Sequence, residues 1–174
     1  MNAIAVFDPL SSFNSGKISG FCYFHQPRGE ESKTQVHIKL LGLPPNTKRG
    51  IHIHEEGDLT KGCESLCSHY NPLGTKHGSI ELYGNDRHAG DMINNVVSDK
   101  KGEVDIWYDD ELIDLWGPYS IIGRSVVIHG SEDDLGLYRD ENSKRGELSA
   151  STGNAGKRVS CAIIGRTKSN LSKI

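Results

Sequence analysis

The stretch Ile18-Ser19-Gly20-Phe21-Cys22-Tyr23-Phe24 decides the fold. In an extended chain successive side chains take opposite faces, so Ile18, Cys22 and Phe24 share one apolar face. Comparable runs bounded by turn residues recur at Asn2–Asp8, Lys17–His25, Thr34–Gly42, Gly50–His54, Asp91–Ser98, Glu103–Tyr108, Arg124–His129 and Lys157–Gly165. Between two of them, Asp99-Lys100-Lys101-Gly102 reads as a hairpin turn. No segment keeps a helical period, and only Glu132–Leu137 reads as a short helical turn. The expectation is all-β: a single domain over residues 1–174, with about eight strands in an antiparallel barrel or sandwich.

Length and composition agree. A chain of 174 residues suits one core, and its 20 glycines against 6 prolines imply many tight turns. Lys and Arg number 20 and Asp and Glu 23, so 20 − 23 = −3. That balance excludes a basic nucleic-acid face and a highly charged disordered chain. No apolar run approaches the roughly 18 residues of a membrane span. Met1–Leu10 lacks a basic region followed by an apolar core, so a cytoplasmic protein is expected.

Two segments break the strand rhythm: a loop over about 55–90 and another over about 130–157, both polar and rich in Gly, Ser, Asn and Asp. Long loops in a compact domain are where function concentrates. The tail Lys168–Ile174 reads as frayed. His52-Ile53-His54 puts two imidazoles on one strand face, able to reach one ion. His69, His77, His88 and Asp91 follow, three imidazoles and a carboxylate, a natural tetrahedral zinc set. His129 closes a later strand, and sites of three or four imidazoles suit copper. A rival grouping, Cys63, Cys67, His69 and His77, would make a purely structural zinc site. It leaves His52, His54, His88 and His129 without a role. His25 and His37 lie on strands with no partner pattern and read as surface histidines.

Ordered motifs then carry a resemblance across nearly the whole chain. They are Gly50-Ile51-His52-Ile53-His54-Glu55, Gly57-Asp58, Gly62-Cys63, His69-Tyr70-Asn71-Pro72-Leu73 and Lys76-His77-Gly78. Further on come Arg87-His88-Ala89-Gly90-Asp91, Ile121-Ile122-Gly123-Arg124, Val127-Ile128-His129, Asp133-Asp134-Leu135-Gly136 and Thr152-Gly153-Asn154-Ala155-Gly156-Lys157-Arg158 before Cys161. In these stretches the chain resembles the copper/zinc superoxide dismutases.

The resemblance implies an eight-stranded Greek-key β-barrel of immunoglobulin-like sandwich form and an enzyme converting superoxide to oxygen and hydrogen peroxide. It implies that His52, His54, His69 and His129 bind copper, and that His69, His77, His88 and Asp91 bind zinc, with His69 shared. Asp133 matches a carboxylate tying His52 to His77, Arg158 an arginine guiding the anion, and Cys63 with Cys161 a disulfide. A copper-delivery chaperone is an expected partner; nucleic acid and membrane are not. The alternative is a catalytically weak relative that only binds the metals.

Departures from the family pattern are specific. Cys67 stands where Gly is usual. Glu56 and Arg166 bring charge to an apolar dimer contact, so a monomer or weak homodimer is expected. Ser151 replaces a steering lysine, leaving Lys144, Arg145 or Lys157 to supply positive potential. The second loop and the His77–His88 spacing are both longer than usual.

Overall fold

The computed structural model describes residues 1–14, 17–29 and 33–171. Among them ten strands form: β1 (Asn2–Phe7), β2 (Ser19–His25), β3 (Thr34–Leu41), β4 (Lys48–His54), β5 (Thr60–Cys63), β6 (Asn95–Val97), β7 (Val104–Asp110), β8 (Ser125–His129), β9 (Arg158–Ile163) and β10 (Gly165–Thr167). One antiparallel sheet runs β10-β1-β2-β3-β7 and the other β6-β4-β8-β9. The chain crosses between the sheets after β3 and returns with β7 beside β3 and β8 beside β4. Fold class is therefore as the pattern implies.

Register explains the core. Cys22 lies opposite Ala5 and Ile38, and Phe24 opposite Ala3 and Val36, so one face of the first sheet is continuously apolar. These residues are buried against Ile51, Ile53, Val126 and Ile128 of the second sheet. Each of the larger side chains, Phe24, Val36, Ile38, Ile51, Ile53, Val126 and Ile128, contributes roughly 1.5–3 kcal/mol by leaving water. Alternation along β4 sends Ile51 and Ile53 into this core and His52 and His54 the other way, under the loops.

Several expectations are corrected. The run Lys157–Gly165 is divided: Ile164 bonds through its main chain to Arg124 and Gly123, and the chain then leaves the second sheet to pair with β1 as β10. Asp91–Ser98 yields only β6, because Ala89–Asp91 closes a 3-10 turn. The turn at Asp99–Gly102 exists, its Asp99 carboxylate accepting from the amides of Lys101 and Glu103. Its flanking strands belong to different sheets, so it is a corner and not a hairpin.

Glu132–Leu137 is not helical, since the Asp133 and Asp134 side chains accept from the amides of Leu135 and Gly136 and fold local turns. The helices are α1 (Ile80–Tyr83) and α2 (Lys144–Thr152), the latter capped by Ser143, whose hydroxyl accepts from the Gly146 amide. Only Gly146 and Ser149 of α2 are buried, so it has no apolar stripe to read.

The tail is docked as far as residue 171, the Ser169 carbonyl accepting from Asn2 Nδ2 and the Tyr23 hydroxyl; 172–174 lie outside the described residues. His37 is buried, not a surface group. It stacks 3.9 Å from the opposite ring of Trp107, and its Nε2 lies 2.7 Å from Asp105 Oδ1.

Gly90 fixes the approach of the first loop to β4. A Cβ there would stand 2.2 Å from the Ile53 carbonyl oxygen and 2.8 Å from the Tyr70 nitrogen. Gly90→Ala should destabilise the protein by about 1–3 kcal/mol, read as a lower urea midpoint with an unchanged slope. An unchanged midpoint would contradict this packing.

Candidate metal centre

The strand end at His54 is extended sideways by the first loop. The Tyr70 amide donates to Ile53 O at 2.8 Å and the Glu55 amide to Ser68 O at 2.9 Å, which sets His69 beside His54. The Gly90 amide donates to Tyr70 O at 2.8 Å and brings His88 and Asp91 in behind. A disulfide between Cys63 and Cys161 and a small apolar cluster with Leu66 and Val127 fasten the loop to β8 and β9. Because Cys63 is in that bond, the thiolate zinc set of Cys63, Cys67, His69 and His77 does not form.

The loops bring all the expected ligands together, every one of them buried. Ligand atoms of His52, His54, His69 and His129 lie within 4.8 Å of one another, as do those of His69, His77, His88 and Asp91. In the second set Asp91 Oδ1 lies 3.0, 2.7 and 3.1 Å from the Nδ1 atoms of His69, His77 and His88. Asp91 Oδ2 accepts from the amides of Gly78 and His88, which fixes the carboxylate. Asp133 lies between the sets, with Oδ2 2.6 Å from His52 Nε2 and Oδ1 3.0 Å from His77 Nε2.

Hydrogen bonding assigns the free nitrogens of the first set. His54 Nδ1 donates to Cys67 O and His129 Nδ1 to Gly156 O, so in the neutral rings both Nε2 atoms carry lone pairs. Those two atoms face each other at 3.3 Å. His52 Nδ1 and His69 Nε2 are buried and have no hydrogen-bond partner. Four imidazole lone pairs thus gather with no donor among the described residues, the arrangement a cation satisfies. The two sets, which have His69 in common, each fit a metal ion.

Protonation follows. Burial, then neighbouring imidazoles, hold His52, His54 and His69 well below the ordinary histidine value. Burial also lowers His129. Burial presses His77 down too, but hydrogen bonds to Asp133 and Asp91 outweigh it and raise His77 to about 10. Asp91 is held well below the usual carboxylate range: its burial acts upward and is overcome by hydrogen bonds from His69, His77 and His88.

Arg158, at the start of β9, is half-buried beside the four-imidazole set. Its guanidinium donates to the carbonyls of Cys63 at 2.6 Å, Glu64 at 3.2 Å and Cys67. No motif singles out Asn95, whose side chain pairs reciprocally with the Asp133 main chain at 2.8 and 2.9 Å. Arg124 stands in the quoted motif Ile121-Ile122-Gly123-Arg124 without a role assigned to it; it stacks 3.6 Å over the Tyr70 ring and donates to Glu55. Their partners lie 38 to 69 residues away, and no local pattern announces such contacts.

A family profile described as copper/zinc superoxide dismutase matches residues 18–164. The chain is similar to a superoxide dismutase [Cu-Zn] of Paramecium bursaria Chlorella virus 1, 42% identical over 98% of this chain and 81% of that one. It is similar to the Saccharomyces cerevisiae protein of the same name, 44% identical over 86% and 91%. It is also similar to an extracellular superoxide dismutase [Cu-Zn] of Drosophila melanogaster, 45% identical over 95% and 85%. Among solved structures, one described as the clock protein EA4 superposes with a TM-score of 0.78 at 39% identity, covering 94% of this chain and 93% of that one.

His77, protonated at neutral pH in the metal-free protein, must lose a proton to become a ligand. Cation binding should therefore release protons at pH 7, and affinity should rise with pH until about 10. Titration calorimetry in two buffers of different ionisation heat measures the release; buffer-independent heats would contradict it.

Proposed function

Since the chain belongs to the copper/zinc superoxide dismutase family, we propose that His52, His54, His69 and His129 hold copper and that His69, His77, His88 and Asp91 hold zinc. The protein is an oxidoreductase that converts two superoxide anions and two protons to oxygen and hydrogen peroxide. The observation that carries the ligand assignment is His69, whose Nδ1 faces Asp91 while its buried Nε2 faces the other three imidazoles. Copper bound there supplies one-electron redox chemistry, whereas zinc has none of its own and orders its ligands.

The remaining work belongs to the side chains. Asp133 acts as the tie between the two sites, holding His52 and His77 in fixed orientation through its two oxygens. His69 Nε2 is the one position in the shared ring able to take and return a proton while Nδ1 stays on the Asp91 side. Arg158 has five N–H donors, of which three contacts to carbonyls leave capacity for a small anion. It is the guiding cation, and the burial of the rings around it excludes bulk water.

A net charge of −3 repels the substrate at long range, so local cations matter. Arg145 is tied to Glu141 at 2.7 Å, and Ser151 turns its hydroxyl to carbonyls of its own helix. Lys144 stands in the first turn of α2. Lys157 precedes Arg158, and its carbonyl accepts from the Gly130 amide, one residue beyond His129. Lys157 supplies the flanking positive potential.

The chain works as a monomer or weak homodimer, since Glu56 and Arg166 are exposed charges costly to bury in a tight contact. Rings this enclosed favour copper handed over by a delivery chaperone. The exposed free thiol of Cys67 supports a reducing, cytoplasmic setting, in which the Cys63–Cys161 disulfide is the exception.

Metal analysis beside superoxide removal tests the assignment. His129→Ala should lose copper and activity together. Arg158→Ala should keep copper and lose about tenfold or more in kcat/KM; activity equal to the unaltered protein in both variants discards the assignment. Lys157→Ala should lower kcat/KM a few-fold at low salt and flatten its ionic-strength dependence; an unchanged salt profile would remove Lys157 from this role.

A further inference from the structure

The two lengthened loops meet each other at the zinc-side histidine, His77. Helix α1 and the turn after it lie between His77 and His88, and the segment 137–143 precedes α2. Arg139, from that segment, is only 8% exposed and stacks its guanidinium 3.5 Å over the Tyr83 ring. It donates to Asp86 O at 2.9 Å, to Asp86 Oδ2 at 2.5 Å and, more weakly, to His77 O at 3.4 Å. The Tyr83 hydroxyl returns the contact by donating to Gly136 O at 2.9 Å. Lys76 and Asp140 pair at 2.5 Å beside it. On its other side the His77 amide donates to Ala150 O of α2 at 2.8 Å.

The backbone is shaped for this contact. A Cβ on Gly78 would lie 2.6 Å from the Tyr83 ring and 3.0 Å from Arg139 Nη1, so only glycine leaves the stack room. A Cβ on Gly136 would lie 2.6 Å from His77 O.

We propose that Arg139 and Tyr83 are positioning residues of the metal centre, clamping both loops around the His77 main chain so that the zinc-side ligands are assembled before the ion arrives. None of the clamp contacts uses a ring nitrogen of His77 or an oxygen of Asp91, so each persists when metal is absent. The planar guanidinium does two things at once, stacking on Tyr83 and forking to Asp86, which a lysine cannot do. The effect on zinc rests on the ligand assignment proposed above; the effect on loop order in the metal-free protein does not. Groups that orient a ligand from outside typically change metal affinity 10- to 100-fold.

Tyr83→Leu, Arg139→Gln and Arg139→Lys test the clamp in the full chain. In metal-free protein, amide exchange of 77–91 and 134–153 should be about tenfold faster in all three, with β2 and β3 unchanged. Zinc should leave the loaded variants about tenfold faster to a chelator, and cobalt(II) placed in the zinc site should show an altered visible spectrum. Loop exchange and zinc release equal to the unaltered protein overturn the proposal. Faster exchange throughout the barrel also overturns it, because the residues would then serve general stability. If the unaltered protein binds no zinc, the ligand assignment falls instead, and loop exchange alone decides the clamp.

Discussion

Both nitrogens of the His69 ring are buried, and one proton cannot serve the two environments they face. With Nδ1 turned to Asp91, Nε2 is left among His52 Nδ1, His54 Nε2 and His129 Nε2, each the lone-pair atom of a ring whose other nitrogen is already bonded. A buried acceptor without a partner costs about 1–3 kcal/mol, and four of them converge here. One cation satisfies all four. The carboxylates of Asp91 and Asp133 and the carbonyls of Cys67 and Gly156 thus do more than hold rings. They select which nitrogen stays bare, and so determine where charge can be accepted.

The barrel sets up this convergence by alternation and register. β4 presents two imidazoles because Ile51 and Ile53 occupy the core on its other face, and β8 ends with His129 on the neighbouring strand. The loops complete it by close main-chain contact, which explains the costly local geometry. Cys67 has φ 59°, a left-handed conformation that glycine adopts freely and a side chain resists. That turn aims the Cys67 carbonyl at both His54 and Arg158. One carbonyl orientation therefore serves both the His54 ring and the Arg158 guanidinium, a return for which strain is tolerated.

Legibility in the sequence followed the range of the interactions. Period-2 runs such as Ile18–Phe24 located strands because burial of one face is a local pattern. The residues that cluster at the centre were legible because few chemistries use imidazoles and a carboxylate in that order. What escaped was decided at a distance. The division of Lys157–Gly165 depends on Arg124 and Gly123 taking the main-chain bonds of Ile164. His37 is buried because register places Trp107 opposite and Phe21 edge-on beside it. Helix α2 carries no apolar stripe, since it lies on the second loop with its polar face to solvent, and its signal reduces to a serine cap. The reading of Glu132–Leu137 as helical failed because two aspartates there bond to their own backbone.

The same logic places the Arg158 charge under covalent control. Arg158 is anchored by carbonyls of Cys63, Glu64 and Cys67, all in the 3-10 turn over Glu64–Leu66 and its two caps. That turn is bonded to β9 through Cys63–Cys161, a link spanning 98 residues of sequence. Closing so long a loop removes roughly 4–5 kcal/mol of unfolded-state freedom on the chain-entropy account, but its local consequence is more specific. Arg158 lies three residues before Cys161, so the strand that carries the guanidinium is joined covalently to the turn whose carbonyls hold it. A flexible arginine would sample many positions and weaken the field beside the imidazoles. Held between a fixed turn and a fixed strand, the charge keeps one place beside His54 and His129, a local positive field on a net negative chain.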